Sequence, residues 1–554
     1  MKYRFLLLPL TFFLLLNSCS QHGFRLSKKE VLPQTFDLVI MSTTDLHGHI
    51  MPWDYFRDQP DGRAGLVKIA SLVDSVRAVN PYTVLVDNGD WLQGSPMAEY
   101  YASVDTITGY PFLEAAAFMH YDAITLGNHE FDFSLSLINK RIKESRVPVI
   151  SANLLKFNSD EPYYKPYIFK SFGKMKVGIL GLITPGTAVW NKARLEGQIT
   201  NADPIETAGK YVAEMKEKGA DIIIVLAHSG LEGESSYAPE NQLEENFGKN
   251  LVNSVAGIDH IILGHHHMVL ENQHLLNPEK IKTGFVMPGS RGTHLGISTL
   301  NISYHKSLKK WLITDQKSKV VPVVQAKTHQ ELNDFLRESH FLVRAYYNQP
   351  VATTNAVWST SRSRMEDTPI MDLIQYIQQK ITGAQLSAAA AFNTQSNFGP
   401  GDISLADLSQ LYPYENKLAL VEINGAQLKA YLEHSAQFFV QTEHGKSPKI
   451  NSQWPGFNYD MISGVEYVLD ITQPVGQRVK SLKYQDKPVQ NGDIFTLAVN
   501  SYRAAGGGGF EMLQNARIIR EYDVSIRELI ADFLKQKGSI EPEDVFIKNW
   551  WIEN

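Results

Sequence analysis

Five runs in this sequence end an apolar stretch with side chains that bind metal ions. Asp45-Leu46-His47 follows Phe36 to Met41, Gly89-Asp90 follows Val84 to Val86, and Gly127-Asn128-His129-Glu130 follows Ala123 to Leu126. His228-Ser229 follows Ile222 to Leu226, and Gly264-His265-His266-His267 follows Ile261 to Leu263. Imidazole and carboxylate together suit Zn, Mn, Fe or Co, and a carboxylate such as Asp90 can bridge two such ions. Two ions roughly 3.5 to 4 Å apart stabilise both the attacking and the leaving oxygen of an in-line displacement at phosphorus. The amide oxygen of Asn128 adds a neutral ligand, which limits negative charge where a phosphate must bind. Asp45, His47, Asp90, Asn128, His228, His265 and His267 are therefore read as the ligands of two divalent metal ions in a phosphoesterase. A lone Asp-x-His or Gly-His pair is ordinarily structural; the shared position after apolar runs gives the set its meaning. His49 and His266, beside ligands, are assigned supporting roles. His129 and Asp132 lie three residues apart where a helix is expected to begin, so they can share a face. Asp132 would orient the imidazole while His129 stabilises developing charge or protonates a leaving oxygen.

These residues need a scaffold that brings distant loops together. From residue 35 to about 325 the sequence alternates short β-branched runs, such as Ile222 to Leu226, with helical stretches. That is an α/β pattern whose strands are buried on both faces. Ligands in such folds gather beyond the carboxyl ends of the strands, so the five loops converge on one crevice. From Gln330 to Tyr347 apolar residues recur at helical spacing, predicting a connector segment, 326–350, whose helix is ended by Pro350. Residues 351–554 carry their own strands and helices and are read as a second domain.

The 554 residues are enough for two or three domains, and 43% hydrophobic with 20% charged residues is an ordinary globular composition. A net charge of −6 without a long basic run excludes the electrostatics of a polymeric nucleic-acid binder. Residues 1–19 read as an export signal: Lys2 and Arg4, an apolar stretch from Phe5 to Leu16, then Leu16-Asn17-Ser18-Cys19. Cys19 is the single cysteine, which excludes an intramolecular disulfide, and its setting resembles a bacterial lipobox. The expectation is an exported lipoprotein acylated at Cys19, facing the periplasm or the cell surface. A polar tether over 20–34 leads to the first domain, and the membrane is met only through the lipid.

At the metal-binding runs the chain resembles the calcineurin-like metallophosphatases, and more closely the bacterial 5′-nucleotidase family. The likeness extends to its 2′,3′-cyclic-nucleotide 2′-phosphodiesterase/3′-nucleotidase branch through Asp54-Tyr55-Phe56-Arg57-Asp58, Gln93-Gly94-Ser95-Pro96, Asp470-Ile471-Thr472-Gln473-Pro474 and Asn500-Ser501-Tyr502-Arg503-Ala504. The resemblance implies a four-layer αββα metallophosphatase domain, a connecting helix, and a C-terminal α/β substrate-binding domain. It implies one metal on Asp45, His47, Asp90 and His267, and another on Asp90, Asn128, His228 and His265. It also implies that the second domain stacks the base of a small-molecule nucleotide between Tyr414 and Tyr502, with Asn416 as a polar contact.

Two departures bear on the substrate. Where the 5′-nucleotidase branch carries an arginine after a glycine run, this chain has Ala389-Ala390-Ala391-Phe392-Asn393, and where that branch has an aspartate it has Gly508. Both favour cyclic and 3′-nucleotides, whereas Asp132 points the other way because the cyclic branch can carry asparagine there. The expected activity is hydrolysis of 2′,3′-cyclic nucleotides to 3′-nucleotides, then to nucleoside and phosphate. A 5′-nucleotidase or UDP-sugar hydrolase using the same metals is the alternative, and a non-catalytic nucleoside-binding lipoprotein is the alternative of another class.

Overall fold

The computed structural model describes residues 32–237, 243–414 and 416–554, so the Cys19 reading lies outside the described residues. The first domain is built on two six-stranded sheets. In the first sheet the order is Lys310–Pro322, His294–His305, Thr35–Thr43, Thr83–Asp87, Ala123–Thr125 and Val149–Ile150, the last four being parallel. In the second, Val269–Leu276, Lys282–Pro288, His260–Leu263, Ile222–His228, Met175–Ile183 and Tyr167–Phe172 follow one another, with four parallel strands at the centre.

Side-chain alternation turns the two sheets into four layers. Leu38, Ile40, Val84 and Val86 of the first sheet meet Val177, Ile179, Ile222 and Ile224 of the second in a core between the sheets. The intervening residues point outward. Val39, Met41 and Leu85 pack under the helix Leu66–Arg77, and Ile223, Val225 and Ile261 pack under the helix Pro204–Glu217. Strands covered on both faces must be apolar throughout, which explains the continuous apolar runs in the sequence.

The periodicity that predicted one connector helix belongs to two, Gln330–Phe335 and Arg337–Tyr347. Leu336, 1% exposed, leaves the helical conformation at ψ 4° and buries its side chain with Leu332 in the first domain's core. Beyond the connector, a five-stranded sheet runs Asp460–Ser463, Leu386–Ala390, Ile494–Asn500, Lys417–Asn424 and Arg517–Ser525. A smaller sheet is closed by the strand Trp550–Glu553. Among the described residues no helix is long and apolar enough to cross a membrane.

Candidate active site

Every parallel strand named in the sequence reading ends at one crevice, and the backbone there is unusual. Asp45, His47, Asp90, His265 and His267 all have positive φ, between 46° and 68°. Non-glycine residues take this region rarely and at a cost of order 1–3 kcal/mol, repaid only where the surroundings hold them. Here Asp45 N donates to Gly89 O, His47 N to Asp90 O, and Arg291 N to Asp45 O, so the loops lace one another. Glu130 adds a second brace. Its buried carboxylate accepts from the backbone N–H groups of Asp90 (3.0 Å), Trp91 (2.7 Å), Leu92 (3.0 Å) and Gly127 (2.6 Å).

Two groupings of ligand atoms lie within 4.8 Å: Asp45, His47 and His267, and Asp45, Asp90 and His228. His47 Nε2 is 3.0 Å from His267 Nε2, which is 3.4 Å from Asp45 Oδ1. His228 Nε2 is 3.0 Å from Asp90 Oδ2, yet neither atom is in an aligned hydrogen bond. In their neutral form, the one that binds metal, the imidazoles of His47 and His228 both carry their hydrogen on Nδ1. His47 Nδ1 donates to Gln93 O at 2.9 Å and His228 Nδ1 to Asn88 O at 2.7 Å, so each Nε2 presents a lone pair to the crevice. Lone pairs facing carboxylates and another imidazole, with Asn128 Oδ1 also buried and without a partner, call for cations between them. The residues therefore fit divalent ions. Without one, burial alone would lower His228, but Asp90 and Asp45 outweigh it and push the imidazole to about 10. A proton then stands where a metal would be held.

The shared member of the two groupings is Asp45, whereas the resemblance makes Asp90 the shared ligand. His265 belongs to neither. Its ring lies 5.6 Å from that of His228, and its Nε2 is 2.9 Å from Glu245 Oε1. Burial would raise Glu245, but the hydrogen bonds from His265 and Ser236 hold it at about 2. Glu245 was not seen in the sequence, nor was the sixth loop, 184–191, which follows the strand Met175–Ile183. Its Trp190 stacks on His265 at 5.6 Å, and its Asn191 Nδ2 donates to Asn128 O at 3.4 Å. Gly186 makes this possible, because a Cβ there would lie 2.3 Å from the Trp190 ring.

His129 stands in a short 3₁₀ turn, Asn128–Asp132, rather than in the α-helix expected there. The tighter turn still brings His129 Nδ1 to 2.6 Å from Asp132 Oδ2, both side chains 36% exposed, and its ring lies 5.3 Å from that of His47. Burial lowers its pKa, but Asp90 and Asp132 prevail and raise it to about 9. His49 turns away, its Nδ1 on the carbonyls of Leu46 and His47, and His266 stacks behind His265 at 5.8 Å.

In the second domain Tyr414, Asn416 and Tyr502 line one cavity of about 250 Å³ with Phe392, Phe457, Asn500 and Arg503. Tyr414, Tyr502 and Phe457 are 45%, 47% and 38% exposed, an apolar outlay that a planar ligand would cover. Arg503 is held beneath by Asp460, Nε to Oδ2 at 3.0 Å, and lies 5.3 Å from the Tyr502 ring. Gly508 has φ 75°, the left-handed region that favours glycine, and a Cβ there would lie 2.3 Å from Asn458 Oδ1 and 2.6 Å from Arg503 Nη1, so a larger residue would require these side-chain ends to shift. Asn393, at the end of the run that replaces the arginine of the 5′-nucleotidase branch, knits its own loop. Its Nδ2 donates to Gln410 O, and its Oδ1 accepts from Gln395 N and Ser396 N. It lines a separate cavity at the domain junction with Asp54, Phe56 and Arg57.

The calcineurin-like phosphoesterase family matches residues 38–269, and the 5′-nucleotidase C-terminal domain matches residues 350–515. The chain is 31% identical to the 2′,3′-cyclic-nucleotide 2′-phosphodiesterase/3′-nucleotidase of Haemophilus influenzae, over 93% of this chain and 87% of that protein. It is 30% identical to the trifunctional nucleotide phosphoesterase YfkN of Bacillus subtilis over 95% of this chain, and spans 39% of that relative's length. A solved Staphylococcus aureus structure assigned to the 5′-nucleotidases shares the fold at a TM-score of 0.71 and 24% identity, covering 94% of this chain and 100% of that one. This chain is a metallophosphoesterase of the 5′-nucleotidase family, with a calcineurin-like phosphoesterase domain followed by a 5′-nucleotidase C-terminal domain.

Proposed function

We propose that this enzyme hydrolyses 2′,3′-cyclic nucleotides to 3′-nucleotides and these to nucleoside and phosphate. The observation that carries the reading is the pairing of two sites: a crevice of lone pairs and carboxylates suited to a phosphate on cations, and an open aromatic cavity suited to a base. Asp45, His47, Asp90, His228 and His267, with Asn128 and His265 beside them, would hold two divalent ions, of Zn, Mn, Co or Fe. When bound, such ions supply Lewis acidity toward the phosphoryl oxygens and let water lose a proton near neutral pH.

The chain's own residues do the rest. Tyr414 and Tyr502 stack the base, and Asn416 offers a polar contact at the cavity wall. In the first reaction water attacks phosphorus, the bond from phosphorus to the 2′ oxygen breaks, and His129 Nε2 delivers a proton to that oxygen. Asp132 on Nδ1 keeps the imidazole in the orientation and tautomer this requires. In the second the 3′ ester is cut in the same way. Glycine at position 508, where the 5′-nucleotidase branch carries an aspartate, supports cyclic and 3′-nucleotides over 5′-nucleotides. The apolar stretch Phe5 to Leu16, followed by Asn17-Ser18-Cys19, supports an exported lipoprotein that would act in the periplasm or at the cell surface.

The test is a comparison of kcat/KM on 2′,3′-cyclic AMP, 3′-AMP, 5′-AMP and a UDP-sugar after removal and re-addition of each metal. Chelation is expected to abolish turnover and Mn, Co or Zn to restore it, with the cyclic and 3′ substrates preferred. Preference for 5′-AMP or the UDP-sugar would replace the substrate assignment. Binding of nucleoside without turnover under every metal would return the chain to the non-catalytic alternative.

A further inference from the structure

His265 is gripped more elaborately than the other histidines of the crevice. Its backbone N–H donates to both oxygens of the Asp45 carboxylate at 3.1 Å. Its ring stacks with Trp190, at 5.6 Å and 27°, and with His266, at 5.8 Å and 26°. The Nε2 edge meets Glu245 Oε1 at 2.9 Å. Glu245 is itself fixed: it is 6% exposed, and its Oε2 accepts from Ser236 N at 2.6 Å and Ser236 Oγ at 2.8 Å. Its carbonyl accepts from Thr184 Oγ1 at 2.9 Å and Ser229 Oγ at 3.1 Å, which ties it to the ends of the strands Met175–Ile183 and Ile222–His228.

An ionised carboxylate only accepts, so the hydrogen on this imidazole sits on Nε2 and the free lone pair is on Nδ1. His47 and His228 are the reverse: backbone carbonyls take Nδ1–H and leave Nε2 free. His265 thus has a different ligand atom from these two, and its tautomer depends on a charged side chain from a loop. Resting on the two-metal reading above, we infer that Glu245 is a positioning residue for the ion His265 would hold, fixing Nδ1 as its ligand atom and strengthening the imidazole as a donor. Carboxylates that orient metal-bound histidines in this way commonly change metal affinity by about 10- to 100-fold. Removing Glu245 should weaken one ion and spare the other, because Asp45, His47 and His267 do not touch it.

The experiment titrates Mn²⁺ into the metal-free full chain by calorimetry, for wild type, Glu245→Gln and Ser236→Ala, alongside the thermal midpoint of each metal-free protein. Wild type is expected to take two ions. Glu245→Gln is expected to bind one with unchanged affinity and the other about 10- to 100-fold more weakly, with kcat recovering at high Mn²⁺. Ser236→Ala, which only loosens the carboxylate, should weaken the same ion by a smaller factor, and it decides the matter if the first variant does not fold. Unchanged affinity for both ions in either folded variant overturns the inference. So does equal weakening of both ions together with a lowered metal-free midpoint, which is the mark of general structural damage. A wild-type chain that takes no pair of ions would instead overturn the two-metal reading beneath it.

Discussion

At the scale of single residues, the pair His129 and Asp132 makes the sharpest claim. Asp132 touches the imidazole at 2.6 Å, and its effect on the reaction passes through that ring. His129→Ala should lower kcat by about 10²- to 10⁴-fold, the usual worth of a proton donor. Asp132→Asn keeps a hydrogen-bonding side chain but not its charge and should cost about 10-fold. Because the two act as a unit, the double variant should be no slower than His129→Ala. Steady-state kinetics on all three checks this, and multiplicative losses would show that Asp132 acts elsewhere. The residues that meet in the crevice were legible as a set because metal-binding side chains follow directly on strands that any apolar run announces. Glu245 and Trp190 were not legible, nor was the bracing role of Glu130. Each acquires its role from a partner far along the chain, Glu130 from the Asp90 loop some forty residues earlier, and no local pattern marks such a residue. The left-handed backbone at Asp45, His47, Asp90, His265 and His267 was equally hidden, since these residue types do not ask for it.

Elements were read more securely than their breaks. Buried strands declared themselves by unbroken β-branched runs, but the connector split at Leu336 because burial of one side chain overrode a continuous helical pattern. The last strand, Trp550–Glu553, is held by a feature no periodicity reveals. Asp367 Oδ2 and Asp372 Oδ2 accept from the backbone N–H groups of Asn549 and Ile547, each at 2.8 Å. Burial, then the neighbouring Asp367 charge, pushes Asp372 up to about 7, and its Oδ1 is buried without a partner. An ordinary aspartate titrates near ~3.9. Stability from this group is therefore fully present below about pH 4 and is lost as pH rises through about 7, because the unfolded chain releases the proton first. An asparagine in its place would be neutral in both states and still accept from Ile547. Asp372→Asn should gain in thermal midpoint relative to wild type between about pH 4 and pH 7, with a constant difference above. Metal-free protein is the right sample, since bound ions would add their own pH dependence. A difference independent of pH would show that Asp372 is charged in the folded chain.

For the whole molecule, the issue is whether two domains act on one substrate. Contacts across the junction fix the arrangement seen here: Gln410 Nε2 donates to Phe56 O at 2.9 Å and Arg57 Nη2 to Gln395 Oε1 at 3.0 Å. Glu99 of the first domain accepts from Tyr347 of the connector and pairs with Arg527 of the second. None of this was legible in the sequence, because polar side chains at a domain junction look like any solvated surface. A metal centre in the first domain hydrolyses a phosphoester whether or not the second domain binds the rest of the molecule; only a shared substrate links them. Each stacked base contributes about 1–3 kcal/mol, which corresponds to roughly 5- to 150-fold in affinity. Tyr414→Ala and Tyr502→Ala should each lower kcat/KM on 2′,3′-cyclic AMP by a factor in that range. Hydrolysis of bis(p-nitrophenyl) phosphate, which carries no base, should stay at the wild-type rate, because neither tyrosine is among the residues around the metal crevice. Parallel loss on both substrates would mean that the tyrosines support the fold of the second domain, and nucleotide selection would then have to come from the crevice itself. Loss confined to the nucleotide would place base recognition in one domain and phosphate chemistry in the other, with the junction setting the distance between them.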